Sequence, residues 1–203
     1  MSVAMVFDDF PEELLDTLPD QPLPAGPVTR AELDAMPDDG RRHEIVDGML
    51  YVSAAPGLIH QRVVLRLAIV LTSVCPLDCE VVVAPFDVAL ADDTVMEPDV
   101  LVARRCDLTS RDLPAAPVLA VEVLSYSTRL YDTHIKRERF ERAGTPHFWV
   151  INPVANPDEA HLVAWTLGPD KRYEQVADVK GNDPFTTEDP FPVTVVPADL
   201  VRD

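Results

Sequence analysis

The segment 119–140, LAVEVLSYSTRLYDTHIKRERF, begins with an apolar run that has a glutamate in its middle. The run PVLAVEVLS predicts a buried strand near the centre of a sheet, because strands covered on both faces are almost continuously apolar. Alternate side chains of a strand point to opposite faces, so Ala120, Glu122 and Leu124 are expected to share one face. An ionised carboxylate is costly to bury alone. Glu122 therefore needs a metal, an arginine or an opening to solvent beside it.

Segments on both sides of this strand have helix and strand patterns. LIHQRVVLRLAIVLTSV has apolar residues at helical spacing. A second helix is expected after the central strand, capped by a serine or threonine at 125, 127 or 128 and ended by Gly144. Strands are predicted for CEVVVAPFDVAL, TVMEPDVLVARR and HFWVIN, and hairpins for RRHEIVDGMLYVSAA, turning at Asp47-Gly48, and for HLVAWTL with RYEQVAD. The sequence thus predicts an α/β fold: a mixed central β-sheet flanked by helices, with an additional N-terminal hairpin and a C-terminal β-hairpin.

The length of 203 residues predicts one domain, with or without an arm. Residues 1–28 are rich in proline and acidic residues and are interpreted as an arm. Residues 29–203 are predicted to form a single domain, which Thr29 and Glu32 open with a capping box. No apolar run approaches the roughly 20 residues that cross a bilayer, and the first residues lack a cationic secretory start. With 3 cysteines, an odd count, these features favour reduced thiols, a cytoplasmic location and no membrane partner.

The net charge of −18 argues against nucleic-acid binding when the chain is taken whole, because phosphate contacts need cations. The charge is unevenly distributed, however. Residues 1–40 hold 10 acidic and 1 basic residue, residues 41–150 hold 15 and 12, and residues 151–203 hold 10 and 4. The middle segment is therefore close to neutral, and some of its acidic side chains could offset the charge of a metal ion.

A second acid, Asp99, precedes the apolar residues VLVA on the strand before Glu122. Two adjacent strands that each carry an acid can hold both near a common point, where one or two carboxylates with water and substrate phosphate suit Mg²⁺. On the helix that follows, Asp132, Lys136 and Phe140 lie on one stripe. A lysine on the face toward the sheet would point at Glu122, where it could orient a water or stabilise developing charge. An ordinary ion pair of Lys136 with Asp132 is the alternative.

The chain closely resembles the Uma family of restriction-endonuclease-like proteins. The resemblance lies in the segments RHEIVDGMLY, a histidine, MEPDVLVA and VLAVEVLSYSTRLYDTHIKRERFERAGTPHFWVINP, which follow one another in this order. That family belongs to the PD-(D/E)XK nuclease superfamily. The resemblance runs from about Arg42 to Pro153. It matches Pro98-Asp99 to the family's PD and Glu122 to the acid of its second motif. Leu124 stands where the superfamily motif has a lysine, and the resemblance assigns that role to Lys136 on the following helix.

The resemblance implies a metal-dependent endonuclease that hydrolyses phosphodiester bonds of nucleic acid, with DNA as the expected substrate. Asp99 and Glu122 would hold one or two Mg²⁺ ions, for which Mn²⁺ can substitute. Lys136 would position the nucleophile or stabilise the transition state. Glu44, which matches the acid of the first core element, would orient a second metal or a water. A homodimer is also implied, and the further side chains expected to line the site are His60, Ser125, Arg129 and Asp132.

Each assignment has a simpler alternative. Glu122 could be a structural acid paired with an arginine, Glu44 a polar strand residue, and His60 a half-buried histidine. At the level of function, the alternative is a non-catalytic module of the same fold that binds or regulates. A basic strip on the folded body would favour the enzyme, whereas scattered arginines would disfavour it. The arginines that could form such a strip are Arg41, Arg42, Arg62, Arg66, Arg104, Arg105, Arg129, Arg137, Arg139 and Arg142.

Overall fold

The computed structural model describes residues 26–37, 40–53, 55–125 and 131–202. The helices are α1 (Arg30–Asp34), α2 (Leu58–Val74), α3 (Arg137–Ala143) and α4 (Pro197–Val201), and a π-helical turn at Tyr131–Lys136 runs directly into α3. The strands are β1 (Arg42–Val46), β2 (Met49–Ser53), β3 (Cys79–Val83), β4 (Asp87–Ala91), β5 (Thr94–Met96), β6 (Val100–Arg104), β7 (Asp112–Leu113), β8 (Leu119–Val123), β9 (His147–Asn152), β10 (His161–Leu167), β11 (Tyr173–Lys180), β12 (Phe185–Thr187) and β13 (Val193–Val195). Within the described ranges, no helix has the length and apolar character needed to cross a membrane.

Six strands form the main sheet, in the order β11-β10-β9-β8-β6-β3. β8 and β9 are parallel, and the other neighbours are antiparallel. β8 carries LAVEV, and all its residues are buried between partners on both sides. The central strand containing Glu122 is therefore where the apolar run predicts it. The hairpin of β10 and β11 extends this same sheet at one edge.

A second sheet has five strands in the order β2-β1-β5-β4-β7. Its first two strands are the predicted N-terminal hairpin, whose turn residues Asp47 and Gly48 have φ values of 50° and 75°. Tight hairpin turns need this left-handed backbone, which glycine adopts at little cost. The chain crosses between these two sheets five times, since β3, β6 and β8 belong to the main sheet whereas β1, β2, β4, β5 and β7 belong to the second.

Two apolar layers cover the main sheet. On one face, α2 packs with residues such as Leu67 against Val121, and α4 with the small sheet of β12 and β13 completes this layer. On the other face, Phe140 of α3 lies in the cluster that contains Ala120. Glu122 is two residues after Ala120 on β8, so its side chain is directed into this second layer. The carboxylate thus lies in the layer that also contains α3.

The predicted α/β class, with its mixed central sheet, flanking helices and two hairpins, is confirmed. The interpretation of CEVVVAPFDVAL and TVMEPDVLVARR as one strand each was wrong, because each forms two strands in different sheets. Pro85 lies between β3 and β4, and Pro98 lies between β5 and β6. Proline lacks the N–H that a ladder needs and restricts the residue before it, so pairing ends there and the chain can change sheets.

The ends of the predicted elements differ in how far they are described. The helix after β8 ends at Gly144, which has a φ of 82°, as predicted, while its expected caps at 127 and 128 lie outside the described residues. Thr29 and Glu32 form the predicted capping box. The boundary between an arm at 1–28 and a domain at 29–203 stays a prediction. Within the described part, Val28 is buried and its N–H donates to the Gly48 carbonyl oxygen at 2.8 Å.

Candidate active site

Asp99 and Glu122 come together because β6 and β8 are antiparallel neighbours. Val100 pairs with Val121, so Asp99 and Glu122 are next in the same register. The Val123 amide donates a hydrogen bond to Asp99 Oδ2 at 2.8 Å. Asp99 is 4% exposed and Glu122 1% exposed. The strand register therefore buries two carboxylates side by side at one end of the central strands.

The helix after β8 brings a lysine to this point. Lys136 Nζ lies 3.2 Å from Glu122 Oε1 and 2.8 Å from Glu44 Oε1, and the lysine side chain is 2% exposed. A lysine from the segment that leads into the following helix is therefore a cation beside Glu122. Buried charges of this kind are tolerated only when opposite charges and hydrogen bonds compensate them.

The peptide group of Glu97 joins the two sheets and the helix. Its N–H donates to Glu44 Oε1 at 2.6 Å. Its carbonyl oxygen accepts from Lys136 Nζ at 3.3 Å and from Arg42 Nη2. Glu97 stands in the crossing between β5 and β6, two residues before Asp99. Glu44 and Lys136 therefore hold in place the segment that carries Asp99.

Arg42 adds a second cation. Its Nε lies 3.2 Å from Glu97 Oε2, and its Nη1 lies 3.0 Å from Asp99 Oδ1. Burial disfavours the charged guanidinium, but the surrounding carboxylates, Asp99 first among them, outweigh this effect and raise the pKa of Arg42. Burial raises the pKa of Glu97 to about 7, although Arg42 acts in the opposite direction. Glu97 therefore titrates near neutral pH.

His60 contacts Asp99 from the first turn of α2. His60 Nε2 lies 3.1 Å from Asp99 Oδ2, and the histidine is 8% exposed. Burial by itself would raise the pKa of Asp99. The hydrogen bond and charge of His60, together with the charges of Lys136 and Arg42, outweigh burial and hold the pKa of Asp99 below its usual value. Asp99 is thus kept ionised, which is the state in which a carboxylate binds a cation.

The chemistry of this donor set fits a divalent cation. Four buried carboxylates, Glu44, Glu97, Asp99 and Glu122, lie beside the cationic side chains Arg42 and Lys136 and the imidazole of His60. Carboxylate oxygens are the donors that Mg²⁺ prefers, and Mg²⁺ typically takes only one or two of them together with water and phosphate. Among the residues that the structure describes, no group of three or more His, Cys, Asp or Glu side chains is arranged to hold a metal ion. Asp99 and Glu122 are the pair that would hold one with water and substrate.

The remaining predicted residues are placed as follows. Ser125 follows β8, is half-buried and lies outside the helices. Arg129 lies outside the described residues, and only the backbone of Asp132 is described, so the roles of both stay predictions. The structure brings together five of the predicted side chains: Glu44, His60, Asp99, Glu122 and Lys136.

Sequence reasoning missed the site positions of Arg42 and Glu97. The sequence predicts Arg42 only as one arginine of a basic strip, and it predicts no role for Glu97 beside the PD pair. A signal was available in both cases, because residues two apart in an extended segment share a face. Arg42 is two residues before Glu44, and Glu97 is two residues before Asp99. Each missed residue therefore accompanies a predicted one.

The arginines expected to form a basic strip are divided among separate intramolecular contacts. On α2, Arg62 and Arg66 donate to carbonyl oxygens near the C-terminal helix. Arg137 lies over the Trp165 ring, 5.1 Å from its centroid. Acidic side chains pair with a further set: Arg105 with Glu80, Arg139 with Asp47, and Arg142 with Glu138. This distribution provides less support for a nucleic-acid surface than a continuous strip would.

An open cavity of about 280 Å³ lies beside the strand that carries Glu44 and the segment that carries Lys136. It lies between the β1–β2 hairpin and α3, and its lining includes Tyr51, Ile135 and Arg139. Ile135 precedes Lys136 in the chain, and Tyr51 pairs with Glu44 in the hairpin register. The cavity is therefore bounded by the same two elements that supply Glu44 and Lys136.

The arrangement of central strands and helices is that of a nuclease-like α/β fold. A crystal structure described as a putative nuclease belonging to DUF820, from Anabaena variabilis ATCC 29413, is similar to this chain with a TM-score of 0.67 and 17% sequence identity. The similarity covers 86% of this chain and 98% of that chain. At this level of identity the likeness shows the fold.

The chain belongs to the Uma2 family, whose model is described as "Putative restriction endonuclease" and matches residues 30–199. The family resemblance in the sequence is therefore confirmed. No curated protein matches the chain.

Proposed function

We propose that this protein is a metal-dependent endonuclease that hydrolyses phosphodiester bonds of nucleic acid, with DNA as the expected substrate and Mg²⁺, or Mn²⁺ in its place, as the cofactor. The observation that carries this proposal is the pair of buried carboxylates, Asp99 and Glu122, on adjacent central strands with Lys136 3.2 Å from Glu122. A cytoplasmic location and a homodimer that cuts two strands with two copies belong to the same proposal. Family membership supports the nuclease class.

The roles follow from the contacts of each side chain. Asp99 and Glu122 would hold a divalent ion, which would supply Lewis acidity and lower the pKa of a bound water. In hydrolysis, the water oxygen forms a bond to phosphorus, the bond from phosphorus to the leaving sugar oxygen breaks, and a proton of the water ends on that sugar oxygen. Lys136 stabilises the negative charge that develops on the phosphate. Glu44 positions Lys136, which it contacts at 2.8 Å.

His60 acts on Asp99 and not on the substrate. Its contact with Asp99 Oδ2, together with the amide of Val123, fixes one oxygen of the carboxylate. The other oxygen is then directed away from these donors. His60 is accordingly a positioning residue.

Cleavage of supercoiled plasmid and of single-stranded DNA, each with Mg²⁺, Mn²⁺ or a chelator, tests the proposal. Wild-type protein is expected to cleave only when a divalent ion is present. Asp99→Asn, Glu122→Gln and Lys136→Met are each expected to lower the rate by at least about 100-fold, as when one group that stabilises a transition state is lost. Asp178→Asn is the matched control, because Asp178 is exposed on β11. Equal rates for wild type and all three site variants would refute the proposal.

A second candidate is a non-catalytic module of the nuclease fold that binds or regulates. The net charge of −18 and the division of arginines among intramolecular contacts favour it. Such a module would show no cleavage under any metal condition, and Asp99→Asn would leave its binding unchanged. Sedimentation of the intact chain would measure the proposed homodimer independently of either activity.

A further inference from the structure

Both oxygens of the Asp99 carboxylate are in contact with donors of the protein itself. Oδ2 accepts from the Val123 amide at 2.8 Å and lies 3.1 Å from His60 Nε2. Oδ1 lies 3.0 Å from Arg42 Nη1. A carboxylate oxygen offers about two lone-pair positions. Oδ2 is therefore fully used, and a metal on the remaining position of Oδ1 would lie directly beside the guanidinium of Arg42.

Arg42 is anchored by contacts that do not involve Asp99. Its Nε lies 3.2 Å from Glu97 Oε2, and its Nη2 donates to the Glu97 carbonyl oxygen. The guanidinium has five donors in a fixed planar fork. It can therefore lose its contact with Asp99 while it remains bound to Glu97.

The charges of the cluster make a guanidinium and a divalent ion competitors for Asp99. Without a metal, Arg42 and Lys136 are in contact with carboxylates of the cluster, Arg42 with Glu97 and Asp99 and Lys136 with Glu44 and Glu122. Burial makes uncompensated negative charge costly, so these contacts stabilise the metal-free protein. A divalent ion on Asp99 Oδ1 would bring two further positive charges beside the guanidinium, and like charges repel strongly in a buried setting.

We propose that Arg42 is a positioning residue of the metal site, a built-in counter-cation that occupies Asp99 Oδ1 until a divalent ion takes that oxygen. The inference rests on the proposed metal-dependent function and deepens it. Metal binding by the free protein is weakened by Arg42, because the buried guanidinium repels the ion and its displacement from Asp99 costs free energy. Arg42 in turn keeps the Asp99 carboxylate at the site in the metal-free protein.

Calorimetric titration of Mn²⁺ into the protein without nucleic acid tests this inference. Arg42→Gln is expected to bind Mn²⁺ at least about tenfold more tightly than wild type, because a competing buried cation is removed. Arg42→Lys keeps the charge without the planar fork and is expected to lie between the two. Arg105→Gln is the control, since Arg105 pairs with exposed Glu80 on the surface. Circular dichroism shows whether each variant is folded.

An unchanged or weaker Mn²⁺ affinity of folded Arg42→Gln would overturn the inference, since a purely structural arginine gives no gain in affinity. If Arg42→Gln does not fold, a crystal structure of the wild type with Mn²⁺ decides. Manganese on Asp99 with the contact from Arg42 Nη1 to Asp99 Oδ1 broken supports the inference. Manganese beside an intact contact, or no manganese at Asp99, overturns it.

These outcomes are distinct from those of the cleavage assay. Cleavage that requires Asp99, together with unchanged Mn²⁺ affinity in Arg42→Gln, would overturn the role of Arg42 and leave the nuclease proposal standing. Tighter Mn²⁺ binding in Arg42→Gln without cleavage by the wild type would support the role of Arg42 and refute the nuclease.

Discussion

Replacement of Lys136 by methionine is expected to destabilise the metal-free protein severely. The ammonium contacts Glu44 Oε1 at 2.8 Å, Glu122 Oε1 at 3.2 Å and the Glu97 carbonyl oxygen at 3.3 Å. Both carboxylates are 1% exposed, so water cannot solvate them in place of the lysine. Methionine fills a similar volume but brings no charge. The variant therefore leaves two buried acids without their shared cation.

The magnitude follows from the cost of breaking a buried ion pair by removal of one partner, which is about 3–5 kcal/mol. For a chain of this size, each kcal/mol lowers the melting temperature by about 2–4 °C. Lys136→Met is thus expected to lower it by about 6–20 °C. The loss should be smaller in the double variant of Lys136→Met with Glu122→Gln, because the second change removes one of the uncompensated charges.

Equilibrium urea unfolding in a chelator measures these free energies without bound metal. Lys180→Met is the control, because Lys180 is exposed on β11 and surface changes usually stay within about 0.5 kcal/mol. The reasoning is refuted if Lys136→Met is as stable as the control. It is also refuted if the double variant is less stable than Lys136→Met alone, since the destabilisation would then come from lost packing and not from unpaired charge.

Two further predictions concern a turn and a histidine. Gly48→Ala is expected to lower the free energy of unfolding by about 1–3 kcal/mol, because φ is 75° and an added Cβ would lie 2.8 Å from Pro27 Cβ. Gly144→Ala should cost less, because Gly144 has a φ of 82° but open space around it. Urea unfolding measures both. His147 is buried, and burial lowers its pKa below the ordinary 6.5. The unfolded state then binds more protons, so the free energy of unfolding is expected to fall as the pH drops below 6.5. His147→Gln should make the free energy of unfolding depend less on pH below 6.5, whereas His134→Gln, at an exposed position, should not. Equal pH dependence in the two variants would contradict the assignment of this effect to His147.

Local sequence patterns predicted the parts of the fold that depend on local chemistry. The turn at Asp47-Gly48, the helical period over 58–74 and the apolar run around Glu122 each depend on residues close together in the chain. The sheet crossings at Pro85 and Pro98 could not be predicted in this way. The residues on either side of Pro85 are apolar enough for a single strand, and which sheet each half joins depends on partners far away in the sequence.

The same limit applies to the site. The acids Asp99 and Glu122 stood out because a carboxylate in an apolar strand needs a reason. Arg42 did not stand out, because the chain has 14 arginines beside its 3 lysines, so one more arginine is not unusual. Most arginines also lie on surfaces. Its contact with Asp99 spans 57 residues and becomes visible only when the second sheet is packed against the main one.

The two sheets each supply part of the site. Glu44 belongs to the second sheet, Glu122 to the main sheet, and Asp99 follows the crossing that joins them. A folding intermediate with the main sheet alone would already hold Asp99 and Glu122 in register, because β6 and β8 both belong to that sheet. It would lack Arg42 and Glu44, which β1 of the second sheet supplies. Docking of the second sheet brings Arg42 to Asp99, so a fall in Mn²⁺ affinity during refolding would report the docking of the two sheets, and not the formation of either sheet by itself.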